Sequence, residues 1–154
     1  MLDIVIRNAH IIDGTGMPGW TGEIGLEGDK IAELGVVDCE GRREIDAGGQ
    51  VVCPGFIDIH THSDFSLLID GRAQSAVYQG VTTQINGNCG VSAFPSGDMG
   101  PYLGPFETER LRSVLEPCWN SAAGYFSILE AQGIAINSAF FTGHGALRQA
   151  VMGV

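Results

Sequence analysis

An apolar, strand-forming run that ends in two histidines one residue apart constrains this chain more than any other feature. The stretch is Gln50-Val51-Val52-Cys53-Pro54-Gly55-Phe56-Ile57-Asp58-Ile59-His60-Thr61-His62-Ser63-Asp64. Val51, Phe56, Ile57 and Ile59 are β-branched or aromatic, as a buried strand prefers, and the predicted strand covers 51–60. Side chains along a strand repeat every two residues, so His60 and His62 face the same way. Their Cα atoms would stand roughly 6.5 Å apart, close enough for both imidazoles to reach one metal ion at about 2.0–2.1 Å. A lone histidine is more often structural. A His-x-His pair at a strand end must house two polar rings on one face, which favours ligation. Asp58, one step earlier on that face, either orients a ligand histidine or makes a strand-end hydrogen bond.

Either side of this stretch the rhythm differs. Residues 1–50 read as short strands: Leu2, Ile4 and Ile6 alternate with Asp3, Val5 and Arg7, and Gly28-Asp29 marks a hairpin. The predicted module is a small antiparallel β segment, too poor in apolar residues to stand alone. From 51 onward strands alternate with helices: a helix over 72–79 closed by Gly80, a strand over 81–85, and a helix from Asn120 or Ser121 to Gln132 closed by Gly133. A strand over 134–141 and a helix over 146–152 follow. Residues 91–118 read as a long Gly- and Pro-rich loop with a short helix at 107–115, the kind of loop that walls a pocket. Alternating β and α segments imply an α/β fold of parallel strands with crossover helices. The domains predicted are 1–50 and 51–154.

Chemistry in such sheets gathers at the C-terminal strand ends, and three of these ends carry His60 and His62, Cys89, and His144. Cys89 lies in Asn86-Gly87-Asn88-Cys89-Gly90, a polar turn that is a poor place to bury a thiol. Three readings stand: a packing thiol, a zinc ligand at about 2.3 Å, or a nucleophile activated by His144. Gly143-His144-Gly145-Ala146-Leu147-Arg148 joins a strand to a helix. His144 is a pocket candidate, and Arg148 could pair with a substrate carboxylate or lie on a solvated helix face. Cys39, Cys53 and Cys118 lack polar neighbours and read as packing residues.

Eighteen acidic against eight basic residues give a formal charge of −10. No basic footprint exists to neutralise phosphates, which argues against nucleic acid as a partner. The N-terminus lacks the pattern of a signal peptide, and no apolar run approaches the ~20 residues that span a bilayer. Four scattered cysteines without a C-x-x-C pair suit a cytoplasmic, disulfide-free protein.

Val52-Cys53-Pro54-Gly55-Phe56-Ile57-Asp58-Ile59-His60-Thr61-His62 resembles the first barrel strand of the amidohydrolase superfamily. Ser63-Asp64, Gln79-Gly80-Val81-Thr82-Thr83, Gly87-Asn88-Cys89-Gly90, and Asn137 followed by the segment from Gly143 to Gly153 narrow the resemblance to the N-acyl-D-amino-acid deacylases (D-aminoacylases), over essentially the whole chain. That resemblance implies a (β/α)₈ TIM barrel with a small β-sandwich. A barrel needs roughly 200–250 residues, so this chain would hold about three of its eight strands, preceded by an antiparallel segment of the sandwich. It also implies zinc, with Cys89 in the tight position and His60 and His62 in a second, weaker one. The remaining tight-site histidines and the general-base aspartate would lie beyond residue 154, so no catalytic residue is assigned within the chain. The reaction implied is hydrolysis of the amide of a small N-acyl-D-amino acid. A cyclic-amide (hydantoinase-like) hydrolase and a non-catalytic fragment are the alternatives.

Overall fold

The computed structural model describes residues 1–95, 109–112 and 119–153, which fall into two compact units, Met1–Pro54 and Gly55–Val154. The first unit is one five-stranded sheet. Strand β1 (Leu2–Ile11) is its centre. It pairs antiparallel with β2 (Trp20–Glu27), which forms a hairpin with β3 (Lys30–Gly35) around Gly28-Asp29. Gly28 takes φ +59° there, a backbone state that suits a residue without Cβ. β4 (Gly41–Asp46) and β5 (Val51–Val52) occupy the other edge of β1, and both run parallel to it.

The sheet is therefore mixed, which corrects the antiparallel expectation. The cause is the crossing at residues 36–40. After β3 the chain returns across the sheet to the end where β1 begins, with Gly41 opposite Leu2. Val37 is buried in that crossing against Leu2 and Val5. Arg7 clamps it: the guanidinium donates to the carbonyls of Val37 at 2.6 Å and Cys39 at 3.0 Å, and pairs with Glu23 and Glu44 at 3.0 Å each.

The second unit is a three-stranded parallel sheet in the order β6 (Phe56–Asp58), β7 (Val81–Asn86), β8 (Asn137–Phe140). Helices α1 (Ser66–Ile69), α2 (Gln74–Val77), α3 (Ala122–Gln132) and α4 (His144–Met152) accompany it. The predicted strand 51–60 is thus two strands in two sheets, divided at Cys53–Gly55, where Pro54 has no N–H to give to a ladder. Helix 72–79 shrinks to α2 because Asp70 holds the Arg72 amide in a turn at 3.1 Å. Strand 134–141 shrinks to β8 because the Ala135 amide turns to the Gly71 carbonyl at 2.8 Å. The last helix begins at His144, two residues before the predicted start. Ser121 caps α3 as expected, its hydroxyl accepting from the Gly124 amide at 3.2 Å. Residues 109–112 are helical within the predicted 107–115; the rest of that segment and Cys118 lie outside the described residues.

One face of the parallel sheet is covered. Gln84, Asn86 and Ile136 are buried on it, over a core of Phe65, Leu67, Leu68, Phe94, Trp119, Tyr125 and Leu129. Tyr125 is fully buried, edge-on to Trp119 and Phe140, and its hydroxyl donates to the Asp64 carbonyl. Paired residues on parallel strands point the same way, so Ile57, Thr83 and Asn137 share the opposite face. There Ile57 is 63% exposed, and Ile59 and Phe141, just past the strand ends, are 74% and 58% exposed.

The Asp70 turn also makes a pH prediction. The Arg72 guanidinium, then the Arg72 amide, hold the Asp70 carboxyl down at about 2. A depressed folded value means the turn's contribution is complete above the ordinary carboxylate range and fades as pH falls toward about 2. Side-chain NMR titration should find Asp70 there, and R72A should return it toward its ordinary value. An unchanged titration in R72A would contradict the pairing.

Candidate metal centre

β6 ends at Asp58, and the chain turns away before either histidine. The period-two argument for a shared face therefore does not apply, yet the two rings still converge. Asp58 makes the strand-end hydrogen bond, its Oδ1 accepting from the His60 amide at 3.2 Å. The His60 and His62 rings lie 5.6 Å apart, edge to face at 62°. β7 ends at Asn86, and the turn behind it carries Cys89 in a left-handed conformation, φ +53°. That state is uncommon for a residue with a Cβ. It brings Cys89 Sγ to 3.2 Å from His60 Nε2. One donor atom from each of His60, His62 and Cys89 lies within 4.8 Å of the others, and all three residues are exposed.

The remaining predicted residues stand apart from this group. His144 and Arg148 are exposed in the first two turns of α4 and supply no member of the donor cluster. The thiol's imidazole neighbour is His60, and among the described residues no hydrogen bond joins Cys89 to His144. Cys39 is partly buried beside Val37 as a packing residue, whereas Cys53 is exposed, contrary to its packing reading.

A matching family model, described as the amidohydrolase family, covers residues 43–153. The chain belongs to that family. It is 37% identical over 151 residues to a D-aminoacylase of Alcaligenes xylosoxydans xylosoxydans, covering 97% of this chain and 31% of the relative. It is 38% identical over 154 residues to an N-acyl-D-glutamate deacylase of the same organism, covering 98% and 30%. Among solved structures, a D-aminoacylase described as defining a novel subset of amidohydrolases superposes with a TM-score of 0.85 at 38% identity, over 99% of this chain and 32% of that one. The N-acyl-D-glutamate deacylase of Bordetella bronchiseptica, complexed with zinc and a phosphonate mimic of the tetrahedral intermediate, superposes at 0.83 with 37% identity, over 98% and 31%. The chain thus spans about a third of the length of these amidohydrolases.

The donor set can be tested against a metal on its own geometry. One thiolate with two imidazoles suits zinc and its softer neighbours. Tetrahedral zinc, with bonds of about 2.0–2.1 Å to nitrogen and 2.3 Å to sulfur, would separate the two donors by about 3.5 Å. The His60–Cys89 distance of 3.2 Å is close to that. All three donors are exposed. The residues fit the group.

Other polar residues around the donors are less visible in sequence. Asn86 is fully buried; its Oδ1 accepts from the Ser63 amide at 2.8 Å and its Nδ2 donates to the Ser138 hydroxyl at 2.8 Å. Asn88 Nδ2 donates to the carbonyls of Ile85 at 2.7 Å and Thr61 at 3.3 Å. Asp64 is 2% exposed, and burial pushes its carboxyl up while the Gly87 amide pulls it down. The one available signal was two asparagines, poor strand formers, bracketing a glycine at a strand end.

Proposed function

We propose that this chain is a metal-binding part of a zinc hydrolase that cleaves the amide bond of N-acyl-D-amino acids. The observation that carries this reading is the convergence of His60, His62 and Cys89 within 4.8 Å at the ends of two paired strands. Identity of 37–38% to deacylases of that substrate class, along nearly the whole chain, supports it. Parallel βα units with one covered face and an open face bearing Ile57 suit three of eight strands of a TIM barrel. The mixed sheet, which includes β5, suits part of a small sandwich.

Cys89 would hold the tight zinc, and His60 and His62 a weaker position beside it. Zinc supplies a bound water of lowered pKa and polarises the acyl carbonyl. The donors' exposure leaves the acyl group a way in. His144 and Arg148, four residues apart on one face of α4, would meet the substrate carboxylate. Hydrolysis joins the water oxygen to the acyl carbon and breaks the C–N bond, and a proton ends on the departing amine. Among the described residues no carboxylate belongs to the donor group. Asp58 is engaged by the His60 amide, and Asp64 is buried. The likeness to D-aminoacylases, rather than the geometry, is why the general base is expected outside residues 1–154. The described cysteines are free, which suits the cytoplasm, and no described helix is long and apolar enough to cross a membrane.

The test uses the protein expressed from its own reading frame, with N-acetyl-D-methionine, N-acetyl-D-glutamate and N-acetyl-D-aspartate, their L-isomers, and a hydantoin. The expected result is release of a D-amino acid from at least one D-substrate, with the L-isomers untouched. A chelator should abolish it and zinc restore it. Equal hydrolysis of both isomers, or opening of the hydantoin alone, would overturn the substrate assignment.

A further inference from the structure

We infer that Asn88 is a positioning residue for metal binding: its side-chain amide locks the peptide between the two histidines to the turn that carries Cys89. The inference rests on the reading of those three residues as ligands. Residues 59–63 lie outside any strand, so no ladder holds the histidines in place. Thr61, between them, is gripped at both backbone groups. Its amide donates to the Ile85 carbonyl at 3.2 Å, and its carbonyl accepts from Asn88 Nδ2 at 3.3 Å. The same Nδ2 donates its second hydrogen to Ile85 at 2.7 Å. The three groups close a ring: Thr61 amide to Ile85 carbonyl, Ile85 carbonyl to Asn88 amide, Asn88 amide to Thr61 carbonyl.

Asn88 immediately precedes Cys89. One planar amide therefore reaches from beside the thiol to the peptide that links both imidazoles. The left-handed backbone of Cys89 is a conformation that persists only when its surroundings hold it, and the donations from Asn88 do so on one side. Without them, the 3.2 Å between His60 Nε2 and Cys89 Sγ loses the side-chain amide that ties the two loops together. What remains is the Thr61 amide bond to Ile85, the Asn86 and Asp58 contacts on the histidine side, and the Val91 amide on the Asn88 carbonyl across the Cys89 turn. Losing an outer contact that orients a ligand typically weakens metal affinity by about 10- to 100-fold.

The experiment is a cobalt titration of the metal-free protein, read by the thiolate-to-cobalt charge-transfer band and the ligand-field bands, with thermal melts of each metal-free variant. N88A should bind cobalt about 10- to 100-fold more weakly, with the thiolate band reduced relative to the ligand-field bands and the metal-free melting temperature nearly unchanged. Should N88A not fold, N88S reads the same contact, because its hydroxyl is one bond too short to reach Thr61. Unchanged affinity and band shape would overturn the inference. So would a loss of affinity matched by an equal loss of metal-free stability, which marks a merely structural role. A wild-type protein with no thiolate band would remove the ligand reading itself, and this inference with it, before any variant is compared.

Discussion

C89S is expected to leave the protein without tightly held zinc and to lower deacylation by on the order of a thousandfold, a loss of several kcal/mol of transition-state stabilisation. The argument begins with the donor. A thiolate is charged and soft and prefers zinc; a serine hydroxyl stays neutral at pH 7 and its oxygen sits closer to the Cα. Cys89 is also the one sulfur in the donor group, presented by a backbone held at φ +53°. Its distance to His60 Nε2 is 3.2 Å, so C89S removes a donor that lies directly against an imidazole of the group. On the proposed assignment of His60 and His62 to a weaker position, H60A and H62A should weaken metal binding and activity less. Zinc content after gel filtration against a weak chelator, together with kcat on an N-acyl-D-amino acid, separates the cases. A C89S protein that keeps stoichiometric zinc and wild-type turnover would refute the assignment of Cys89.

The convergence of His60, His62 and Cys89 is legible in the sequence, but the period of a strand does not explain it. His60 and His62 were placed on one face by the period of a strand, but the strand stops at Asp58, and their convergence comes from the turn that follows. Strand ends, whatever their exact boundary, gather side chains at one edge of a parallel sheet. Features set by local chemistry were equally readable: Ser121 capping α3 and Gly80 at φ +79° after α2. The parallel arrival of β4 was not readable, because it depends on Arg7 holding the carbonyls of Val37 and Cys39, thirty or more residues away. Asn88 was hidden in the same way. Its residue type announces a turn, but nothing local to it names Thr61 as the partner.

G87A is expected to destabilise the second unit by roughly 3 kcal/mol, the sum of a left-handed backbone cost and overpacking against a neighbour that cannot yield. Gly87 follows β7 at φ +76°, and a Cβ built there would overlap the Phe141 carbonyl, with the Phe141 carbonyl carbon at 2.8 Å and amide nitrogen at 2.9 Å. That obstacle is backbone, and it is fixed: the Phe141 amide donates to the Asn86 carbonyl at 2.9 Å. A methyl group must therefore push the ends of β7 and β8 apart, breaking this bond and straining the contact from the Gly87 amide to Asp64. Gly133 separates the two costs. It takes φ +77° and ψ 137°, a sparsely populated region for a residue with a Cβ, with nothing within 4 Å of its would-be Cβ, so G133A should show a backbone cost alone, on the order of 1–3 kcal/mol. Urea melts of both variants, made in a W20F background, let Trp119 report on the second unit. Trp119 is one of only two tryptophans in the chain, and it is buried with its indole N–H on the Ala93 carbonyl. Equal destabilisation in the two variants would mean that β7 and β8 do not approach as closely as described. The predicted excess in G87A would place the rigidity of the Cys89 turn in that backbone contact, and the same variant should then hold metal more weakly than G133A at equal distance from its own unfolding midpoint.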